Sequence, residues 1–167
     1  MTSKTVGDAL DGRLLQALGA DARAATVALA HRIGVSRNTV QARLARWDQS
    51  AVLGSFERRV EPAFLGFPLR AFVFTNVKQR LLNEVSAALE TIPEVVEVHG
   101  LSGVSDLLIQ VVARDADDLY RIAGRILGIR GVKRTNTALV MRELVGYRLT
   151  PLIEQLAAES SIQAEAE

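Results

Sequence analysis

The chain has 167 residues, of which 49% are hydrophobic and 23% are charged, a composition that folds around one good core or two small ones. It contains no cysteine, which excludes disulfides, thiolate nucleophiles and cysteine-ligated zinc, and its two histidines cannot form a His-rich metal site without several carboxylate partners. The formal net charge of +1 hides an uneven distribution, because residues 1–60 hold nine Lys or Arg against five Asp or Glu, whereas residues 61–167 hold eleven against fourteen.

The sequence carries no signal for export or for a membrane. A run of about 18 apolar residues, which is needed to span a bilayer, is absent from it. The first eight residues lack the apolar core of a signal peptide. We therefore expect a cytoplasmic protein without a membrane partner.

Three helices are predicted over residues 1–51. The first has Asp8 as a suitable N-cap and four leucines at helical spacing, which are Leu10, Leu14, Leu15 and Leu18. The second runs from Thr26 to Ile33 and offers Val27, Leu29, Ala30 and Ile33 as core residues. A turn from Gly34 to Ser36 leads into the third helix, and we expect Val35 to fill the gap between the two helices.

The third helix, between Ser36 and Trp47, has two different sides. Because successive residues turn by about 100°, the apolar residues Val40, Leu44 and Trp47 form one narrow stripe. The rest of the circumference is largely polar, and Asn, Gln and Arg side chains hydrogen-bond base edges in a major groove. Ser36 is placed to cap a helix N-terminus that favours phosphate. The pattern indicates a helix-turn-helix that binds double-stranded DNA through its polar residues Ser36, Arg37, Asn38, Thr39, Gln41, Arg43 and Arg46.

A plain surface pair of helices, with arginines that are merely solvated, is the alternative interpretation. Charge favours DNA binding, because five arginines lie between Arg23 and Arg46 with no Asp or Glu among them. We expect Gln41 to read a base and Arg43 to reach a phosphate.

Residues 52–67 are predicted to be a connecting strand and linker. The pattern from Val52 to Val60 is extended and ends at Glu61-Pro62, and the run from Gly66 to Pro68 interrupts the chain again. A linker of this length lets the DNA-reading unit swing relative to the C-terminal part of the chain.

Residues 68–148 show strand and helix patterns in the order βαββαβ. The predicted strands cover residues 71–77, 95–101, 107–112 and 133–145. A helical stripe from Leu81 to Ile92 stops at Pro93, and Asp115 caps a second helix that is closed by Gly128 and Gly131. The fold class is therefore α+β, with an N-terminal three-helix helix-turn-helix domain followed by a C-terminal ferredoxin-like βαββαβ sandwich.

The predicted strands are apolar at nearly every position, as in residues 72–74 and 107–112, which is more than one covered face requires. We expect a second subunit to cover the other face, since a large exposed apolar patch is unusual on a monomer. Scattered exposed apolar side chains are the alternative. A two-fold dimer presents two recognition helices to DNA half-sites roughly 34 Å apart, or a multiple of that distance.

Residues 149–167 are predicted to be a C-terminal tail outside the compact domain. Leu152, Ile153 and Leu156 favour a short helix that packs against a neighbour. The segment from Ser160 onward is rich in Ala and Glu, so we expect it to fray, and we assign the tail no function.

Several short motifs occur together in the order and spacing of one known family. They are Asp11 to Leu18, Arg23, Leu29-Ala30, Gly34 to Ser36, Val40, Arg43-Leu44, Glu61-Pro62, Leu65-Gly66 and Gly103-x-x-Asp106. Over residues 8–148 the chain resembles the Lrp/AsnC family, the feast/famine regulators. The resemblance implies a bacterial or archaeal transcription factor that forms homodimers and often octamers, binds promoter DNA, and responds to an amino acid or another small metabolite without a cofactor.

The resemblance also implies an effector pocket between dimers, around the loop that joins the second and third strands of the sandwich. Carried over to this chain, the pocket comprises His99, Ser102, Gly103, Val104, Ser105 and Asp106, and it is completed by Thr135, Asn136 and Thr137. Glycine lets backbone amides approach a carboxylate closely, and an acid pairs with an α-ammonium group. The family commonly has an aromatic residue where this chain has Ser105, which implies a larger or more polar site.

Each of these residues also has a plainer interpretation. Gly103 fits a hairpin turn and Asp106 a turn cap, His99 is a packed or solvated side chain, and residues 135–137 are strand formers.

Two other function classes stay open at this point. One is a small-molecule-binding or oligomerisation module that does not bind DNA. The other, which we rank lower, is a small enzyme on the ferredoxin-like sandwich, with Asp106 and His99 as acid and base. We predict no catalytic residue and no metal, because no activated nucleophile, phosphate-binding glycine loop or metal cluster accompanies these two.

Overall fold

The computed structural model describes residues 6–50, 52–54 and 60–164, which fall into two compact units. One unit contains the described residues up to 54 together with those from 145 onward, and the other contains residues 60–144. The elements in chain order are α1 (Ala9–Ala20), α2 (Thr26–Ile33), α3 (Arg37–Ser50), β1 (Leu69–Val77), α4 (Leu82–Glu90), β2 (Val95–Gly100), β3 (Leu107–Ala113), α5 (Ala116–Leu127), β4 (Val132–Leu139) and α6 (Thr150–Ala164). None of the helices in these ranges is long and apolar enough to cross a membrane.

Caps and turns define the three N-terminal helices at the predicted positions. The Asp8 carboxylate accepts a hydrogen bond from the Asp11 amide at 2.9 Å and the Asp11 carboxylate accepts one from the Asp8 amide at 3.1 Å, which is a capping box. Helix α2 ends at Gly34, whose φ of 71° suits glycine. The Ser36 hydroxyl accepts from the Thr39 amide at 3.1 Å, so the predicted cap of α3 is confirmed.

The core of this unit forms where the three helices meet, from Leu14, Ala17, Leu29, Ala30, Val40 and Trp47, with Leu44 and Val35 partly buried against it. The predicted stripe of α3 is therefore confirmed. The assignment of Val27 to the core is wrong, because its side chain is 59% exposed. Val27 lies about 160° around α2 from Leu29, so it points away from the face that α1 and α3 cover.

Helix α6 extends over 15 residues and packs along α1, within the unit that contains the helix-turn-helix. The contact is close, since a Cβ atom added to Gly12 would lie 2.6 Å from the Ala157 backbone nitrogen. The sequence indicated only a short helix here, because a contact between small residues leaves little apolar periodicity.

The second unit is a four-stranded antiparallel sheet in the order β2-β3-β1-β4, which confirms the ferredoxin-like topology and the α+β class. Alternate residues of β1 and β3, from Ala71 to Val77 and from Leu107 to Ala113, are buried. They pack with Val85, Leu89 and Ile92 around α4 and with Ile122 and Ile126 of α5 to form the core.

Strand β4 ends at Leu139 instead of residue 145. In its register Ala71 faces Leu139, and the Val140 amide donates to the Arg70 carbonyl at 2.9 Å, so β1 offers no partner much beyond that point. The side chains of Met141, Leu144 and Tyr147 are largely exposed.

The connecting strand predicted within residues 52–67 is not found in residues 52–54 or 60–67, and residues 55–59 lie outside the described ranges. Pro62–Leu65 forms a 3-10 helix instead, because proline fixes the backbone angle that begins such a turn. Gly66, with a φ of 89°, ends this turn.

Candidate DNA-binding and effector-binding sites

The outward side of α3 presents polar side chains near its N-terminus. Arg37, Asn38 and Gln41 are exposed, whereas Val40 is buried. The Ser36 hydroxyl also lies 2.8 Å from the hydroxyl of Thr39, so the two residues together close the first turn. The apolar stripe of α3 is therefore held in the core, and its polar side chains stay exposed.

The other two predicted DNA-contacting arginines of α3 point toward α1. One guanidinium nitrogen of Arg43, Nη1, lies 2.7 Å from Asp8 Oδ2 and 2.9 Å from Asp11 Oδ2. Arg46 Nη2 lies 2.7 Å and 3.0 Å from the two carboxylate oxygens of Asp11. Among the residues that the structure describes, Arg37 has no such acidic partner.

Hydrogen bonds between opposite charges stabilise this ionic cluster of Asp8, Asp11, Arg43 and Arg46. Partial burial opposes ionisation of Asp8, but the Asp11 amide and the Arg43 guanidinium outweigh it and lower the pKa of Asp8. The hydrogen bond to Asp8 raises the pKa of Arg43 above its usual value. The side chain of Asp11 is only 2% exposed, and these partners replace the water that it loses.

The loop between β2 and β3 lies against the end of β1. The Leu101 amide donates to the Asp106 carbonyl at 2.8 Å, and the Asp106 amide donates to the Thr75 carbonyl at 3.0 Å. Asn76 Nδ2 donates to the Val104 carbonyl at 2.7 Å. Gly103 has a φ of 120°, which only glycine adopts without strain. These bonds give the loop a fixed shape.

Asp106 holds this loop with its carboxylate. One oxygen accepts from the Val77 amide at 2.8 Å and the other from Gln79 Nε2 at 2.9 Å. The hydrogen bond from Val77, with those from Gln79 and Asn76 and the charge of Lys133, lowers the pKa of Asp106. The sequence pattern did not identify the amides of Asn76 and Gln79, although polar residues at the end of an apolar strand were a usable signal.

The remaining residues of the predicted pocket are spread along the sheet. His99, Leu108, Phe74 and Asn136 are successive register partners and form one row across the four strands. Three strand spacings separate the ends of the row by about 14 Å, so His99 and Asn136 of one chain do not meet on one small molecule. Thr135 and Thr137 face the opposite side of β4 from Asn136.

His99 itself has a neighbouring acid, since its Nε2 atom lies 3.4 Å from Oε2 of Glu97. Ser102, Gly103 and Val104 are exposed at the tip of the loop, and Ser105 and Asp106 are partly buried at its base. The structure thus brings residues 102–106 together and leaves residues 135–137 on a different strand. In the described ranges no cluster of three or more potential metal ligands is present.

Each of the two units matches a known protein domain. Residues 8–46 match the AsnC-type helix-turn-helix domain, and residues 70–149 match the Lrp/AsnC ligand binding domain. A proline dehydrogenase transcriptional activator of Rhizobium radiobacter is 32% identical over 82% of this chain and 90% of its own length.

Solved structures agree with this assignment. E. coli AsnC superposes with a TM-score of 0.78 at 27% identity, covering 88% of this chain and all of the other. A feast or famine regulatory protein from M. tuberculosis complexed with L-methionine has a TM-score of 0.74 at 29% identity, covering 85% of this chain and 97% of the other. The chain belongs to the Lrp/AsnC family of DNA-binding transcriptional regulators.

Proposed function

We propose that the outward side of α3 enters the major groove and reads bases through Asn38 and Gln41. The observation that carries this proposal is the exposure of these side chains on a helix whose opposite stripe is buried. Amide side chains form paired hydrogen bonds with adenine, and the first-turn amides, with Ser36, Arg37 and Thr39, bind phosphate. In this arrangement Asn38 and Gln41 recognise the base sequence of double-stranded DNA, and the first turn of α3 binds its backbone.

A second copy of the chain covers the exposed face of the sheet. On this face Phe74 is 36% exposed in the middle of a central strand, and Phe72 and Leu108 beside it are partly exposed. Burying such residues against a copy related by two-fold symmetry stabilises a homodimer and presents two recognition helices, one to each half-site. Dimers associate further into octamers.

The effector is an amino acid or a related small metabolite that binds at residues 102–106. Gly103 lets the backbone amides of the exposed loop tip approach the carboxylate of such a ligand closely. The similar M. tuberculosis protein that is complexed with L-methionine supports this ligand class. Because the residues in positions 99 and 135–137 are far apart in one chain, they contribute only where copies meet. A ligand at that junction alters how dimers associate, and by linkage it binds the DNA-bound and free assemblies with different affinities.

The chain acts as a regulator and not as an enzyme. Both oxygens of Asp106 accept hydrogen bonds from the protein, which supports a structural role for this carboxylate in the loop. It needs no cofactor. It acts in the cytoplasm, where its DNA is accessible.

The test is an affinity measurement with duplexes selected from a random pool by the purified protein. Replacing Gln41 by Ala is expected to relax base preference at one position by about 1–3 kcal/mol. Gln16, exposed on α1, provides the matched control, since Gln16→Ala removes the same kind of side chain outside the recognition helix. Equal losses on selected and random duplexes for Gln41→Ala contradict the base-reading role.

A further inference from the structure

Arg43 and Arg46 of the recognition helix contact acidic residues of α1, although their position in the sequence indicates contacts with DNA. Arg43 and Arg46 are three residues apart on α3, so they share one side of the helix. Asp8 and Asp11 are likewise three residues apart at the start of α1. The four side chains form the ionic cluster, with contacts between 2.7 and 3.0 Å.

The buried carboxylate of Asp11 is the centre of this cluster. It accepts from the Asp8 amide, from Arg43 and from Arg46, and these donors compensate for its removal from water. If either arginine turned outward to a DNA phosphate, Asp11 would stay buried and lose a partner, which is costly. Turning either guanidinium away from Asp11 toward a phosphate is therefore unfavourable.

The cluster also joins α1 and α3, whose backbones are not close neighbours although their side chains share one core. The backbone of α3 lies close to α2 rather than to α1, and its stripe residues Val40 and Trp47 fill the common core. Apolar contacts are not directional, whereas charge-assisted hydrogen bonds fix the positions of the groups that they join. The rotation of α3 about its own axis is thus set from α1.

We propose that Asp8 and Asp11 are positioning residues for DNA recognition, which hold the recognition helix through Arg43 and Arg46 so that Asn38 and Gln41 face the bases. This inference rests on the proposed function of α3. It replaces the phosphate contact expected for Arg43 with an intramolecular one. It assigns to two acidic residues a favourable effect on the binding of a polyanion.

The favourable effect of these acidic residues can be tested, because a positioning role and phosphate contacts of the arginines predict opposite changes in the affinity for DNA. Asp11→Asn removes a negative charge near DNA, so it tightens binding if Arg43 and Arg46 contact phosphate. If the cluster positions α3, the same substitution weakens binding to the selected duplex more than to random duplex. We expect the ratio of the two affinities to fall about tenfold, the equivalent of one good base contact.

Asp48→Asn is the matched control, because Asp48 is an exposed acid on α3 outside the cluster. It reports the effect of removing a charge alone. A loss of folded protein lowers the apparent affinity for both duplexes equally, so the ratio separates positioning from simple destabilisation. Circular dichroism of each variant checks that it folds.

If Asp11→Asn does not fold, two further variants distinguish a positioning role from a phosphate contact. Asp8→Asn affects the more exposed member of the cluster, and its expected effect has the same direction but is smaller. For Arg43→Gln, positioning predicts a lower affinity ratio with an unchanged salt dependence, whereas a phosphate contact predicts a logarithmic salt slope that is shallower by about 0.9.

The outcomes separate the two proposals. A wild-type protein that binds no duplex refutes the proposed function. A wild-type protein that binds, together with a folded Asp11→Asn variant that keeps its affinity ratio or binds as tightly as Asp48→Asn, overturns the positioning role alone.

Discussion

Replacing Gly12 by Ala tests whether α6 packs on α1 in solution. A Cβ atom at Gly12 would lie 2.6 Å from the Ala157 nitrogen and 2.8 Å from its Cα atom, whereas ordinary contacts begin at 3.4 Å. Helix α6 must therefore retreat by about 0.8 Å, because backbone atoms cannot rotate away. Overpacking of this kind costs about 1–3 kcal/mol, and the better helix propensity of Ala returns about 0.5–1 kcal/mol. We expect a net loss of up to about 2.5 kcal/mol in the free energy of unfolding.

The assay follows Trp47, the single tryptophan of the chain, which is buried in the core of the same unit. Its fluorescence during urea unfolding gives the stability of that unit, and hydrogen exchange reports the protection of α6. Gly19→Ala in the same helix is the control, since no atom lies within 4 Å of its added Cβ and it is expected to be neutral or stabilising. The reasoning is refuted if Gly12→Ala is as stable as Gly19→Ala and the amides of α6 stay equally protected.

Three further predictions concern individual side chains. Ser36→Ala removes the cap of α3 and is expected to cost about 0.5–2 kcal/mol in urea unfolding followed by Trp47; no loss contradicts the capping role. The pKa of Asp106 is held below its usual value of 3.8 by the Val77 amide, so the stability it contributes is present above about pH 4 and is lost as the pH falls through the lowered value. Asp106→Asn should therefore flatten the acid side of the stability profile measured by urea midpoints, and an unchanged profile counts against the loop contact. Ile122→Ala opens a cavity in the core beneath the sheet and should cost about 2–5 kcal/mol by calorimetry; a loss below about 1 kcal/mol means that Ile122 is not buried there.

Local signals in the sequence were enough to predict helices α1 to α5, strands β1 to β4 and their order. Asp8 and Ser36 are polar residues whose short side chains satisfy amides two or three residues away, so the caps are visible in the sequence. The stripe of Val40 and Trp47 and the strand from Ala71 to Val77 follow from helical and strand periodicity.

Contacts between distant residues were not predictable in the same way. Arg43 and Arg46 carry no local indication that Asp8 and Asp11 lie within reach, because the pairs are about 35 residues apart. Their charge was interpreted as available to DNA, although each guanidinium has protein partners. The end of β4 likewise depends on where β1 begins, and the packing of α6 on Gly12 joins residues from opposite ends of the sequence.

At the effector site, too, local features were predictable from the sequence and contacts between distant residues were not. The position of the loop followed from the strand order and the family resemblance, and the turn at Gly103 followed from its residue type. The hydrogen bonds from Gln79 to Asp106 and from Asn76 to Val104 depend on how the loop folds over β1. The separation of His99 from Asn136 depends on the order of strands in the sheet, which places two strands between them.

The central claim is that this chain binds DNA through a recognition helix whose contacts include phosphates. It is tested most directly by electrophoretic mobility of the purified protein with random duplex over a series of salt concentrations. We predict binding whose logarithm falls linearly with the logarithm of salt concentration, with a slope of about 0.9 for each phosphate neutralised. Failure to bind duplex of any sequence in dilute salt, or binding that does not change with salt, contradicts the claim.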